Sequence, residues 1–166
     1  NADIGVSGNG IYQAGLAKTS ITNSTVAGHT GIEVRAGAME ITDSKVVGQA
    51  PFACNPNGSG GTTDGAAIAI AQHTTKLPIN VVINSGTFSK GTTSGTSYCV
   101  YESNPQGNSA EDIAKTALSI KGGSFDGTVY SQNLNGFITG GTFDYKLEEK
   151  DVAGGYIANY IGGQYV

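Results

Sequence analysis

Residues 120–125 read Ile120-Lys121-Gly122-Gly123-Ser124-Phe125, and the same frame stands at four other places in the chain. The other copies are Ile21-Thr22-Asn23-Ser24-Thr25-Val26, Ile41-Thr42-Asp43-Ser44-Lys45-Val46, Ile83-Asn84-Ser85-Gly86-Thr87-Phe88 and Ile138-Thr139-Gly140-Gly141-Thr142-Phe143. Each opens on Ile and reaches Val or Phe five residues later. Side chains alternate along a strand, so an odd spacing would put the two apolar groups on opposite faces. Both belong in a dry interior, so the chain must turn a corner between them. The middle positions hold Asn, Asp, Ser or Gly, and Asn, Asp and Gly tolerate the left-handed backbone such a corner needs.

The opening isoleucines are separated by 20, 42, 37 and 18 residues. The short intervals match one coil of a solenoid, and the long ones a coil carrying an insertion. In such a coil, equivalent residues stack about 4.8 Å apart: Ile on Ile, Phe on Phe. The expected fold is all-β, a right-handed parallel β-helix of about five coils with a C-terminal cap. The right hand follows from the general preference of parallel crossovers.

Composition agrees. The 166 residues suffice for one domain and include 26 Gly, 4 Pro and no Trp. Only 13% are charged, about half the usual share. The net charge is −4 and Arg35 is the one arginine, which argues against nucleic acid as a partner. No run of about 18 apolar residues implies membrane insertion. The opening Asn1-Ala2-Asp3-Ile4 reads as mature sequence beginning in mid-architecture, with neighbouring domains expected in a longer chain.

Residues 1–9 read as an incomplete first coil, with Ile4 and Val6 in a strand. Coils then occupy 10–145. The stretch Gly31-Ile32-Glu33-Val34-Arg35 alternates, with Ile32 and Val34 inward and Glu33 and Arg35 outward as an exposed ion pair. Residues 49–64 have no strand period and read as a long surface loop. The strand Ala67 to Ala71 follows, then a shorter loop at 72–78 with His73. Residues 91–97 are a polar corner, and 102–115 an insertion in which Ser109-Ala110-Glu111-Asp112 fits a capping box before a short helix. Residues 146–166 read as the cap: a short helical turn, then a small hairpin.

The Gly-Gly-Ser-Phe-Asp and Gly-Gly-Thr-Phe-Asp copies, followed by Asp151-Val152 and Tyr156-Ile157-Ala158, resemble the last coils of β-helix modules in large secreted or cell-wall-attached proteins of Gram-positive gut bacteria. The coil frame is also similar to the pectate-lyase-like β-helix superfamily. The resemblance implies a bacterial, extracellular, modular protein and carries over no catalytic residue.

Five groups of residues bear on the chemistry. Aligning Val34, Ile70, Val100 and Val129 as one inward column places Arg35, Tyr101 and Tyr130 on the outside. Tyr101 and Tyr130 would then form a platform for a sugar ring, with Glu102, Gln72 and Ser131 nearby; the alternative is plain cross-strand packing under the insertion. Asp126 and Asp144 occupy equivalent positions in adjacent coils and form a candidate Ca²⁺ site, or an ordinary solvated edge. Cys54 and Cys99, with Cys99 outward, are candidates for a disulfide worth roughly 3–4 kcal/mol, or for two free thiols. His29 and His73 have no triad partners at a recognisable spacing. The column Thr25, Lys45, Thr87, Ser124, Thr142 suggests a flat hydroxyl face of the ice-binding kind, but Lys45 breaks it and the loops would interrupt it.

The function expected is a non-catalytic extracellular module that binds polysaccharide or host glycan, or adheres. A polysaccharide lyase or glycoside hydrolase is the enzymatic alternative, and a structural spacer the third.

Overall fold

The computed structural model describes residues 8–56, 60–90 and 98–166. The expected strand at Ile4 and Val6, part of the 49–64 loop and the 91–97 corner lie outside the described residues.

The chain is built almost wholly of short strands. A first round consists of β1 (Ile11–Gln13), β2 (Lys18–Thr22) and β3 (Thr25–Gly28). A second consists of β4 (Ile32–Val34), β5 (Gly37–Thr42) and β6 (Ser44–Gly48). A short antiparallel ribbon, β7 (Ala53–Cys54) with β8 (Thr63–Asp64), interrupts the sequence inside a stretch expected to hold no strand. The third round is β9 (Ile68–Ile70), β10 (Ile79–Ile83) and β11 (Gly86–Ser89). The fourth is β12 (Tyr98–Glu102), helix α1 (Ala110–Ile113), β13 (Thr116–Ile120) and β14 (Ser124–Asp126). The fifth has β15 (Thr128–Ser131) and β16 (Thr142–Phe143), with a single bridge at Ile138 between them. β17 (Tyr160–Ile161) and β18 (Gln164–Tyr165) close the chain as a hairpin.

First strands pair only with first strands, in the order β1-β4-β9-β12-β15. Second strands form the sheet β2-β5-β10-β13, and third strands β3-β6-β11-β14-β16, all of them parallel. The chain thus visits three parallel sheets in one fixed order four times, and a fifth round returns to the first and third with only the Ile138 bridge in place of a second strand.

The hexapeptides lie directly over one another. Ile21, Ile41, Ile83, Ile120 and Ile138 are successive register partners. So are Val26, Val46, Phe88, Phe125 and Phe143. Both columns point into one core. The three phenyl rings stack with centroids 4.9 and 4.8 Å apart and planes 13° and 7° from parallel.

The corners fall where the parity argument requires them. Asn23 and Asp43 take φ of 49° and 47° at the third position of their copies. Gly86, Gly123 and Gly141 take φ of 133°, 116° and 126° at the fourth. At Gly123 a methyl group would also meet the Phe88 ring at 3.0 Å and the Gly86 carbonyl at 3.2 Å. Gly123→Ala is therefore expected to cost about 1–3 kcal/mol, read as a lowered urea midpoint.

At the far end, segment 146–166 packs on the last round. Leu147 is buried, a single 3-10 turn spans Glu149–Asp151, and Val152 bridges Ile138. β18 pairs antiparallel with β16 through Phe143 and Tyr165. The Tyr145 hydroxyl donates to the Val129 carbonyl at 2.9 Å, and Lys150 Nζ donates to Ser131 O at 3.0 Å, so the free edge of β15 is partly satisfied. Among the described residues no helix is long and apolar enough to cross a membrane.

One expectation fails over much of the first sheet. Its outer face is not open to solvent near Glu33 and Arg35: both side chains are fully buried, and so are Ala69 and Ala71. Residues 60–62 lie across this face. Glu33 Oε1 accepts from Thr62 N (2.6 Å) and Thr62 Oγ1 (2.7 Å), and Oε2 from Asn9 Nδ2 (3.0 Å). Arg35 Nε donates to Ala71 O at 2.8 Å, and its Nη1 donates to Gly60 O. The supposed exposed ion pair is a buried clamp, Nη1 to Oε1 3.9 Å, that holds the loop down.

Candidate functional site

The outward column of the first sheet runs Tyr12, Glu33, Ala69, Tyr101, Tyr130. Tyr101 and Tyr130 are neighbours, as expected. The alignment used to place Arg35 beside them slips by two residues between β9 and β12, because Val100 pairs with Ile68 and not with Ile70. Arg35 lies beyond the tyrosine column, under the loop. Glu102 follows Tyr101 in the strand and so points to the opposite face. It is enclosed, accepting from Ser131 Oγ (2.6 Å), Asn133 N (3.0 Å) and Asn133 Nδ2 (2.8 Å), and it orders the turn after β15. Of the four residues grouped as a glycan site, only Tyr101 and Tyr130 come together at the surface.

Two further rings join them. Tyr98 lies 4.9 Å from Tyr101 and 5.8 Å from Tyr130, and Phe52 packs 4.5 Å from Tyr98 and 4.8 Å from Tyr101. A regular strand would put Tyr98 and Tyr101 on opposite faces. A register shift between Tyr98 and Val100 makes Cys99 an extra residue, and the bulge returns Tyr98 to the tyrosine side. Phe52 comes from the 49–64 loop; its only sequence signal was a lone aromatic among Pro, Gly and Asn.

Tyr101 and Tyr130 stack with planes 19° apart and centroids 5.3 Å apart, so each ring spends a face on the other. The cluster is a ladder of rings rather than a flat floor. Its rings are part-exposed, and Tyr130 stands on the outermost strand of its sheet. All four rings are half-buried. Burial, helped by the neighbouring Cys54 thiol, pushes the Tyr101 phenol up to about 12. The fold therefore favours the protonated phenol, and that stability is present below the ordinary tyrosine range and lost as pH rises toward 12. Ultraviolet titration should show a late-ionising phenol that is missing in Tyr101→Phe.

The other candidates resolve differently. Cys54 and Cys99 are both free thiols. The bulge buries Cys99 on the core side, where its Sγ donates to Phe88 O at 3.1 Å, and burial pushes its pKa up. Cys54 lies across the strand beside Tyr101, so no disulfide joins them. Asp126 and Asp144 are adjacent as expected, and Lys90 from the preceding round is shared between them at 3.0 and 3.6 Å. Asp144 Oδ1 also accepts from Gly127 N at 2.9 Å. The ammonium occupies the position between the carboxylates and holds Asp126 below the usual carboxylate range. Among the described residues no group of three or more His, Cys, Asp or Glu is arranged to hold a metal ion. His29 lies 3.8 Å from Asp64, and His73 Nδ1 accepts from Thr75 N, each a local loop contact.

The 102–115 insertion is held by its own network. Ser109 caps α1, accepting from Asp112 N at 3.2 Å. Asp112 is bonded to Lys76 and Lys115, each at 2.9 Å, which hold its carboxyl well below the usual range. Gln72 and Asn108 tie the insertion to the preceding loop.

No protein-family model, curated protein or solved structure matches this chain.

Proposed function

We propose that the three parallel sheets are the walls of a right-handed parallel β-helix, and that this module binds glycan outside the cell without transforming it. Three supports bear on the architecture: four full rounds of fixed sheet order with a fifth that keeps it through a bridge, the continuous Ile and Phe columns, and the general handedness of parallel crossovers. The observation that carries the binding reading is the ladder of half-exposed rings, Phe52, Tyr98, Tyr101 and Tyr130. Rigid aromatic rings with polar tips supply apolar contact for sugar C–H groups and hydroxyls for hydrogen bonds at low conformational cost. Parallel strands hold the three tyrosines, so little ordering of those rings is needed on binding. A bacterial surface protein is the setting in which such a module fits.

A lyase would need Arg or Lys as an accessible base beside an acid cluster. Arg35 is enclosed and engaged with backbone carbonyls, and Glu33 and Glu102 are engaged in loop and turn geometry. One observation favours the spacer reading: Phe52 uses the same rings to anchor the 49–64 loop.

The test is a glycan array with the purified chain, followed by Tyr130→Ala. Tyr130 lies at the sheet edge and does not touch Phe52 in the ring contacts, so the variant should fold and lose about tenfold in affinity. Silence across plant, bacterial and host glycans would leave the spacer.

A further inference from the structure

The third sheet ends at β17, and among the described residues no strand pairs with the far edge of β17. Asn159 and Val166 exchange both backbone hydrogen bonds, N to O at 2.9 Å each way. Bonded and non-bonded pairs alternate along an antiparallel ribbon, so the next pair, Tyr160 with Tyr165, is a non-bonded one. Tyr160 therefore turns its N–H and C=O away from β18, out of the sheet edge. Exposed edges are commonly guarded by a charge or a proline. The stretch from Val152 to Val166 contains neither. Of the seven large apolar residues that stand exposed among the described residues, five lie in this stretch: Tyr156, Ile157, Tyr160, Ile161 and Val166. Ile157 is 80% exposed, and Tyr160 and Ile161 are each 65% exposed.

The flank of the hairpin carries one unpaired charge of each sign. Lys146 and Glu149 are exposed and make no ion pair among the described residues, whereas Lys150 is engaged with Glu148 and Asp151. A mixed flank selects no ligand of a single sign, but it is complementary to itself. A two-fold axis can set each Lys146 toward the Glu149 of a second copy. The strand edge is self-complementary in the same sense. Opposed residues of a bonded antiparallel pair exchange both N–H···O bonds. Tyr160 opposite the Tyr160 of a second copy thus uses both of its outward backbone groups, and the same patch serves on both sides of the axis.

We propose that β17 is a homodimer edge. Two copies join their third sheets antiparallel through Tyr160, cover Ile157 and Ile161, and set Lys146 against Glu149 across the axis. Pairing of this kind does not depend on what the ring ladder binds. The patch is smaller than a standard interface, so the dimer is weak, with a Kd on the order of 10 μM.

Sedimentation equilibrium of the whole chain from about 1 to about 500 μM, a range that brackets that Kd, tests this. The mass should rise from one copy to two and stop there. Across the same range the Tyr160 amide should exchange with solvent at least about fivefold more slowly, whereas the Asn159 amide, already bonded inside the hairpin, should not change. Ile161→Lys should abolish both effects and unfold at the parent's temperature, because the side chain it replaces is exposed. Lys146→Glu and Glu149→Lys should each weaken pairing about tenfold. Mixing these two variants should restore it, because each then faces the opposite sign across the axis. A chain that stays single at the highest concentration would leave the edge to another partner and overturn the proposal. So would association that survives Ile161→Lys, growth beyond two copies, or flank variants that fail to rescue each other.

Discussion

Phe125→Ala should lower the unfolding free energy by about 3–5 kcal/mol, the upper part of the range for large core truncations. Phe125 is the middle ring of the Phe88–Phe125–Phe143 stack and is 1% exposed. Its neighbours cannot close the gap. Phe88 and Phe143 are carried by β11 and β16, and each of these strands is locked to β14 by parallel pairing. A cavity that cannot collapse keeps its full cost. Phe143→Ala should cost less, because that ring already borders the recess under the closing hairpin. The measurement is the urea midpoint, with an unchanged denaturant slope showing that the loss is one of stability. A shift under about 1 kcal/mol for Phe125→Ala would mean that the aromatic column is not a continuous support.

The interior of this molecule was legible in its sequence because the signals there are redundant. Five copies repeat Ile and Val or Phe at one odd spacing, and each has a corner-tolerant residue between them. A wrong parity would have exposed a whole apolar column, so the reading had no near competitor. The outer face carries no such redundancy. Ile68 and Ile70 are both apolar, and either aligns acceptably with Val100; the two-residue slip that misplaced Arg35 follows from that tie. The bulge at Cys99 reverses the faces of Tyr98 and Cys99, and nothing in Tyr98-Cys99-Val100-Tyr101 announces it. Pro, Gly and Asn mark 49–64 as a loop. Those residues say where the chain leaves the wall, not that it returns to cover Glu33 and carry Phe52 onto the tyrosines. The ring pair Tyr101–Tyr130 was found because both residues stand next to core valines in register. The mutual stacking that consumes two of its faces depends on side-chain torsions that no spacing encodes.

Arg35→Met should destabilise the protein by about 3–5 kcal/mol, the cost of breaking a buried pair from one side. The loss does not come mainly from the Arg35–Glu33 attraction, since the two groups stand 3.9 Å apart. It comes from the partners left behind. Ala71 O loses a buried donor, Gly60 O loses a part-buried one, and Glu33 stays enclosed without the Arg35 charge. Glu33→Gln combined with Arg35→Met should recover part of the loss, because the amide oxygen still accepts from Thr62 without a buried charge, and the amide NH2 can donate to Asn9 once that side chain turns its Oδ1 toward it. The pH dependence has a definite sign. Burial pushes the Glu33 carboxyl above its ordinary value, while the Thr62 and Asn9 hydrogen bonds and the Arg35 charge oppose that shift. A carboxyl raised in the fold contributes most below its unfolded pKa, and that contribution is lost as pH rises through the folded one. Without the guanidinium the folded pKa rises further. Arg35→Met should therefore cost more at about pH 8 than at about pH 5, because at the lower pH the enclosed carboxyl can take up a proton. Limited proteolysis adds a local readout: with the clamp broken, cleavage within 49–64 should precede cleavage anywhere in the paired strands. An equal cost at both pH values, with the loop as resistant as in the parent, would show that Glu33 and Arg35 do not hold the loop to the wall.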